Sequence, residues 1–356
     1  MVEIDWSKYD ENTRRIDMSF NKLKLFSWKG CPKNLQEINL WANELTSFSW
    51  EGYPDSLERI NLQNNQLTSF TWKDCPKNLK EIDLGVNELT SFSLDGASLL
   101  RNLKYINLGG NRLTLFSWEE CPDSLERINL YGNELTSFSW EGCPDSLETI
   151  NLENNRITSF SWEGCPKNLK EIGLWCNRIT SFSWEGCPTI LEKIRLGRNQ
   201  LTSFSWEGAS HLKNLEKIEL HNNRITLFSW EDCPTNLKKI NLYSNNLTSF
   251  SWKGCPKDLK EIYLGENRLT SFSWKECPRN LTLIYLYGNE FTSLFSYKQY
   301  QKFIIIERAY KRHYKRRKRA ANIINKGCHN WVWKPECKDG SIGIRPRLDM
   351  EYLGID

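Results

Sequence analysis

Apolar and polar positions along the chain repeat one phrase. In Leu57-x-x-Ile60-x-Leu62-x-x-Asn65-x-Leu67-Thr68-Ser69-Phe70, the apolar Ile60 and Leu62 alternate with Arg59, Asn61 and Gln63. Alternation of period two over so few residues predicts a short strand with one face in a core and the other outward. The asparagine that follows opens a turn, and an amide held in an apolar column predicts a buried side chain bonded to backbone groups that the turn leaves unpaired. Thirteen such asparagines (Asn21, Asn43, Asn65, Asn87, Asn111, Asn133, Asn155, Asn177, Asn199, Asn223, Asn245, Asn267 and Asn289) recur at 22-residue intervals, stretched to 24 only at Asn111 and Asn223. A fixed period of this length predicts stacked coils in which each unit buries its apolar edge against its neighbours.

Aromatic residues share the period. Phe stands five residues after the asparagine in twelve units, Phe26 to Phe272, and Trp stands seven after it in eleven, Trp28 to Trp274. Stacked rings of this kind predict a core for the half of each coil opposite the strand. Nine cysteines, Cys31, Cys75, Cys121, Cys143, Cys165, Cys187, Cys233, Cys255 and Cys277, each precede a proline, and Tyr53, Ala97 and Ala209 take the same slot elsewhere. A slot that accepts Cys, Ala or Tyr requires no thiol, so these cysteines read as small buried apolar groups rather than disulfides or metal ligands.

The phrase resembles the leucine-rich repeat, LxxLxLxxNxL, over residues 13 to about 295. That resemblance implies a repeat solenoid of the horseshoe class, mostly β, with a parallel sheet on its concave face and little helix. The short period, and Pro122 three residues before Leu125, are similar to the bacterial-effector subclass and to repeats in large viruses of protists. Phe-Ser-Trp stands here where those subclasses have a Leu-Pro pair.

The two 24-residue units replace the Cys-Pro step with Ala97-Ser98-Leu99-Leu100 and Ala209-Ser210-His211-Leu212. Each is followed by Thr-Leu-Phe in place of Thr-Ser-Phe, at Leu115 and Leu227, which lie 112 residues apart. Duplication of a five-unit block explains the pairing, and the extra residues are expected to add a helical turn on the convex side. Leu94 stands where the Trp column predicts an indole, which implies altered packing in the unit entering the first insertion.

The expected organisation is an N-terminal cap over residues 1–12, a solenoid of about 13 units over 13–296, a capping and basic helix over 297–325 and an irregular tail over 326–356. The helix follows from the absence of Gly and Pro between Tyr297 and Asn325 and from the spacing of Phe303, Ile306, Tyr310 and Tyr314. The formal net charge is +4, of which +8 falls in residues 301–325 and none in 326–356, so the first 300 residues carry −4. Whole-chain charge conceals an acidic array joined to a basic segment.

That segment holds Lys302, Arg308, Lys311, Arg312, Lys315, Arg316, Arg317, Lys318 and Arg319. A solvated helix face, a nuclear import signal, a contact to nucleic acid or anionic membrane, and a calmodulin-like partner all remain open for residues 302–319. Ile306, Lys311 and Arg316 resemble an IQ motif, with Glu307 and Arg312 departing from it. Cys328, His329 and Cys337 give three possible zinc ligands where a structural site normally has four. Cys337-Lys338-Asp339 resembles the Cys-x-Asp signature of effector ubiquitin ligases, a remote reading because too little chain remains for their catalytic domain.

Composition narrows the classes further. His211, His221, His313 and His329 share no column, and neither a phosphate-cradling glycine loop nor HExxH occurs, so no enzyme, cofactor or metal is expected. No stretch approaches the roughly 18 apolar residues of a membrane span, and the N-terminus has no apolar signal stretch. Many thiols without such a signal imply a reducing intracellular setting, cytoplasmic or nuclear, or that of a host cell if the chain is viral or an effector.

Function is then expected where the units differ. The column two residues before each asparagine is free of structural demand and includes Trp41, Tyr131, Trp175, His221, Tyr243 and Tyr287. The column four before it is Asn or Asp through Asn151, then Gly173, Arg195, Glu219, Asn241, Tyr263 and Tyr285. Arg178, Lys193, Arg195, Arg198, Lys217 and Arg224 add positive charge in the later units, against Glu37, Glu44, Glu81, Asp83 and Glu88 early. The expectation is a non-catalytic interaction scaffold whose concave face, around Trp175 to Tyr243, binds a protein with an acidic surface; the alternative is a nucleic-acid-associated or nuclear-targeted protein acting through the basic helix.

Overall fold

Each unit contributes one three-residue strand. In the computed structural model, which describes residues 4–273 and 275–291, these are β1 (Arg15–Asp17), β2 (Glu37–Asn39), β3 (Arg59–Asn61), β4 (Glu81–Asp83), β5 (Tyr105–Asn107), β6 (Arg127–Asn129), β7 (Thr149–Asn151), β8 (Glu171–Gly173), β9 (Lys193–Arg195), β10 (Lys217–Glu219), β11 (Lys239–Asn241), β12 (Glu261–Tyr263) and β13 (Leu283–Tyr285). They form one parallel sheet in chain order, each strand paired only with its sequence neighbours. The central residue is Ile in every strand, and Ile82 pairs with Ile106 across the first long unit as Ile60 pairs with Ile82 across a short one. The two extra residues therefore lie outside the sheet and leave its register intact.

The repeat asparagine ties coil to coil. Asn65 Nδ2 donates to Leu62 O at 2.9 Å in its own coil and to Leu40 O at 3.0 Å in the preceding one, while its Oδ1 accepts from Leu45 N at 3.0 Å. Twelve asparagines, counting Asn43 to Asn267 in this column together with Asn107, are buried among the described residues. A buried amide so bonded satisfies backbone groups that no strand could reach, so its loss exposes both partners' desolvation. The residue before it is left-handed in every unit, and besides glycine and asparagine the position holds Val86 at φ 51° and Arg198 at φ 52°. Neither side chain favours that backbone region.

The convex half is a tryptophan stack. Trp28, Trp118, Trp162 and Trp184 are almost fully buried, and each indole donates to a carbonyl of the next coil, as Trp162 does to Ser183 O at 2.9 Å. Phe160 packs edge-on against Trp162, with ring centroids 4.9 Å apart. The two columns differ in depth: Phe160 is half-buried and shields the indole from outside. Trp6 joins the stack from the N-terminal side, donating to Ser27 O at 3.2 Å and meeting Phe26 edge-on.

The long units pack differently from each other. The first adds a single 3-10 turn, Ala97–Leu99, whereas the corresponding residues of the second form only a turn. Trp206 occupies in the second block the place of Leu94 in the first. Its Nε1 is buried without a partner while its ring stacks on Trp184 at 5.7 Å. Leucine at position 94 has no N–H to leave unpaired, which is the physical sense of the substitution.

The ten described cysteines are free. Burial pushes the thiols of Cys31, Cys121 and Cys187 up to about 12, and raises Cys75, Cys143, Cys165, Cys233 and Cys255 as well. Such thiols are poor nucleophiles. Among the described residues, no helix is long and apolar enough to cross a membrane. The expected helix and tail, the basic run from Lys302 to Arg319, and Cys328, His329 and Cys337 lie outside the described residues.

Candidate functional site

The outward face of β1 to β7 carries a second ladder, of Asn side chains with Asp17 and Asp83 at β1 and β4. The third strand residue accepts from the backbone two residues on, as Asn129 Oδ1 does from Tyr131 N at 3.0 Å. Where neighbours allow, it also donates to the preceding coil, as Asn129 Nδ2 does to Asn107 Oδ1 at 2.8 Å. These bonds immobilise the side chains. At β8 the ladder stops, because Gly173 replaces the amide.

Two side chains use the space. Glu153 lies across Gly173 and reaches Arg195 two coils away, with Nη1 to Oε1 at 2.8 Å. His221 lies across Gly197 in the opposite direction and accepts at Nε2 from Trp175 Nε1 at 3.3 Å. A Cβ at residue 197 would stand 2.5 Å from the His221 ring, and one at residue 173 would stand 2.8 Å from Glu153 Cγ. Each glycine is thus the floor of a bridge.

Arg198 completes the cluster, its guanidinium 5.1 Å from the Trp175 ring centroid. Cation–π contact of this kind holds an exposed arginine in place without neutralising it. Arg195 behaves otherwise: its bond to Glu153 raises its pKa, with Glu219 and Glu171 adding to the effect, and it is held inside the sheet's own charge network. Lys193 pairs with Glu171 at 3.1 Å, and Lys217 pairs with Glu219. Burial alone would raise the Glu219 carboxyl, but the Lys217 ammonium, His221 and Arg195 bring it below its ordinary value. Burial lowers the His221 imidazole, Arg198 and Lys217 lower it further, and Glu219 opposes them. With Nε2 accepting from Trp175, the neutral ring carries its proton on Nδ1, which is buried with no partner.

The other expected site residues fall into separate groups. Tyr243 faces Tyr285 at 6.1 Å, and Tyr263 lies under Lys239, whose Nζ is 4.9 Å from the ring and 2.9 Å from Glu261. Tyr131 and Tyr287 are exposed. Trp41, just after β2, packs edge-on against Phe20 at 4.5 Å and is remote in sequence from the cluster. Arg178 and Arg224 stand exposed just after the buried repeat asparagines Asn177 and Asn223, outside the strands. Reasoning from single columns missed Glu153, Gly173 and Gly197; the signal was there, since both glycines sit one coil from a large polar residue.

Chemically the cluster can present one aromatic face, one fixed guanidinium and an indole edge. Among the described residues no group of three or more His, Cys, Asp or Glu could hold a metal ion.

Comparison with known proteins gives the same architecture. Residues 167–225 match a family model described as leucine rich repeat. A leucine-rich-repeat protein of Leptospira interrogans superimposes with a TM-score of 0.65 at 28% identity, covering 84% of this chain and 82% of that one. An internalin of Listeria monocytogenes gives 0.67 at 21% identity, covering 80% and 83%. The Toll–Spatzle complex of Drosophila gives 0.65 at 20% identity, covering 79% of this chain and 45% of that one. No curated protein matches the sequence. Thirteen in-register parallel strands and the buried asparagines from Asn43 to Asn267 give the described array the leucine-rich-repeat fold of these proteins, with residues 167–225 matching that family's model.

Proposed function

We propose that this protein is a non-catalytic scaffold that binds a protein partner bearing an acidic surface on its concave face, centred on Trp175, Arg198 and His221. The observation that carries the reading is the bridge from His221 over Gly197 to Trp175, with Arg198 stacked on the same indole. None of these residues is needed by the repeat, since other units place Gly, Ser, Gln or Asn in those columns. A pre-positioned aromatic beside a guanidinium suits a carboxylate-bearing surface, because the ring supplies a desolvated centre and arginine can bind a carboxylate bidentately. The likeness to the Drosophila Toll–Spatzle complex is in keeping with a binding role for the fold.

The test is quantitative capture of the acidic partner by the full chain. Trp175→Ala with Arg198→Ala should weaken it by about 2 kcal/mol or more, on the scale of hot-spot losses, with an unchanged melting temperature. Tyr243→Ala should do less, and Glu37→Ala with Glu81→Ala least. Retention of full affinity by the first pair would exclude this site.

A further inference from the structure

A second concave site lies at the other end of the sheet. There β1 to β4 and Tyr105 line a trough of ≈ 470 Å³. Its charges are unevenly compensated. Glu37 is clamped between Arg15 Nε at 3.0 Å and Arg59 Nε at 2.6 Å, and Arg59 also reaches Glu58 at 3.8 Å and feels the charge of Glu81, so two guanidinium groups serve four carboxylates of the lining and Glu58 besides. Asp17, Glu81 and Asp83 remain, and the nearest cation to Glu81 is Arg127 at 4.0 Å. Hydrogen bonds from Ser19 and Asn39 hold the Asp17 carboxyl below its ordinary range, so it is ionised at neutral pH.

The amide ladder is also interrupted inside this trough. Asn39 Nδ2 is engaged with Asp17 at 3.0 Å, and Asn61 Oδ1 accepts from Gln63 N at 2.9 Å. Asp83, next in the column, accepts from Gly85 N and from Asn107 Nδ2 and has nothing to donate. Asn61 lines the trough between a carboxylate on β1 and a pair on β4, where its Nδ2 can donate to a visitor.

We propose that this trough binds an extended segment of another protein carrying Arg or Lys at positions i and i+4, a partner distinct in chemistry from that of the Trp175 cluster. Asp17 and Asp83 share one column three strands apart, about 14 Å at the usual strand spacing, which four residues of extended chain span. One cation meets Glu81 and Asp83, the other meets Asp17, and Asn61 donates to a main-chain carbonyl between them. The Tyr105 ring, with the Arg127 guanidinium 5.2 Å from its centroid, walls the β4 end. A concave, carboxylate-lined surface concentrates cations more strongly than the open convex turns, where Glu141 and Glu163 stand fully in solvent.

The experiment titrates the full chain with Ac-Arg-Gly-Gly-Gly-Arg-amide and measures affinity by calorimetry. Binding should be at least tenfold tighter than for the isomer Ac-Arg-Arg-Gly-Gly-Gly-amide and should vanish when citrulline replaces both arginines. Glu81→Gln with Asp83→Asn should weaken it at least tenfold, and Asp17→Asn several-fold; Asn already fills that column at Asn39 and Asn61, so the frame tolerates it. Glu141→Gln with Glu163→Gln should leave it unchanged. Equal affinity for the two isomers, loss with the convex pair, or indifference to Glu81 and Asp83 would each overturn the proposal. A loss of Trp175-dependent capture in the Glu81 and Asp83 variant would merge the two sites and overturn their separation.

Discussion

The two ends of the concave sheet share a backbone and differ in what their side chains are bonded to. From β1 to β7 the outward amides mostly bond to the backbone and to each other, as Asn129 does to Asn107. From β8 to β10 that ladder is gone, returning only at Asn241 of β11, and large side chains reach over glycines to partners two coils away, as Glu153 and His221 do. A repeat protein can alter its surface cheaply, because each coil's stability rests on the buried columns and its outward residues are free to vary. On the proposed function, the contrast puts specificity in the bridges rather than in the net charge of either half, since Lys193, Arg195 and Lys217 are paired with neighbouring glutamates.

If the halves share a frame, they should be equally sensitive inside. Trp72→Ala and Trp162→Ala are each expected to cost roughly 3 to 5 kcal/mol, the usual loss on emptying a buried aromatic site. Denaturant unfolding of both variants checks this. A much larger loss in the late half would mean that its surface differences reach the core.

The long units offer a finer comparison. Trp184→Phe removes a buried bond to Ser205 O, whereas Trp206→Phe removes an indole N–H that has no partner. Trp184→Phe should therefore be the more destabilising by about 1 kcal/mol. Equal losses in the two melting curves would show that Trp206 finds a bond after all.

Gly197→Ala sharpens the account of the bridge. Its Cβ would displace the His221 ring, which is the movable end of a side chain, so stability should change by less than about 1 kcal/mol. The indole N–H signal of Trp175 should nonetheless shift in an NMR spectrum of the variant, because its acceptor has moved. An unshifted signal would show that the bond does not form in solution.

The smallest effect is on pH dependence. His221 is held below the ordinary imidazole value, so the folded state binds its proton less readily than the unfolded chain does. Its contribution to stability is complete above about pH 6.5 and is lost as pH falls through the lowered folded value. Stability of the wild-type chain should fall between neutrality and pH 5 more steeply than that of His221→Phe. Parallel pH profiles would remove His221 as the titrating group.

Much of this was legible in the sequence. The strand, the turn asparagine and the buried Trp column follow from a period repeated thirteen times, where each copy corroborates the others. The cluster was only half legible: Trp175, Arg198 and His221 stand out as unneeded by the repeat, but their contact depends on which neighbour lacks a side chain. That is a relation between columns of different coils, and Gly173 and Gly197 carry it silently. Arg195 shows the converse, since a cation chosen for its column turns out to be committed to Glu153. The left-handed backbone at Val86 and Arg198 had no sequence sign, because Gly or Asn fills that position only in some units.

The most direct test of the central claim is hydroxyl-radical footprinting of the full chain with and without its captured acidic partner. Trp175 and Tyr243 should become protected, while Tyr131, exposed on β6's turn at the opposite side of the ladder's end, should react as before. Protection of Tyr131 and Trp41 with Trp175 unchanged would place the partner on the early half and contradict the account.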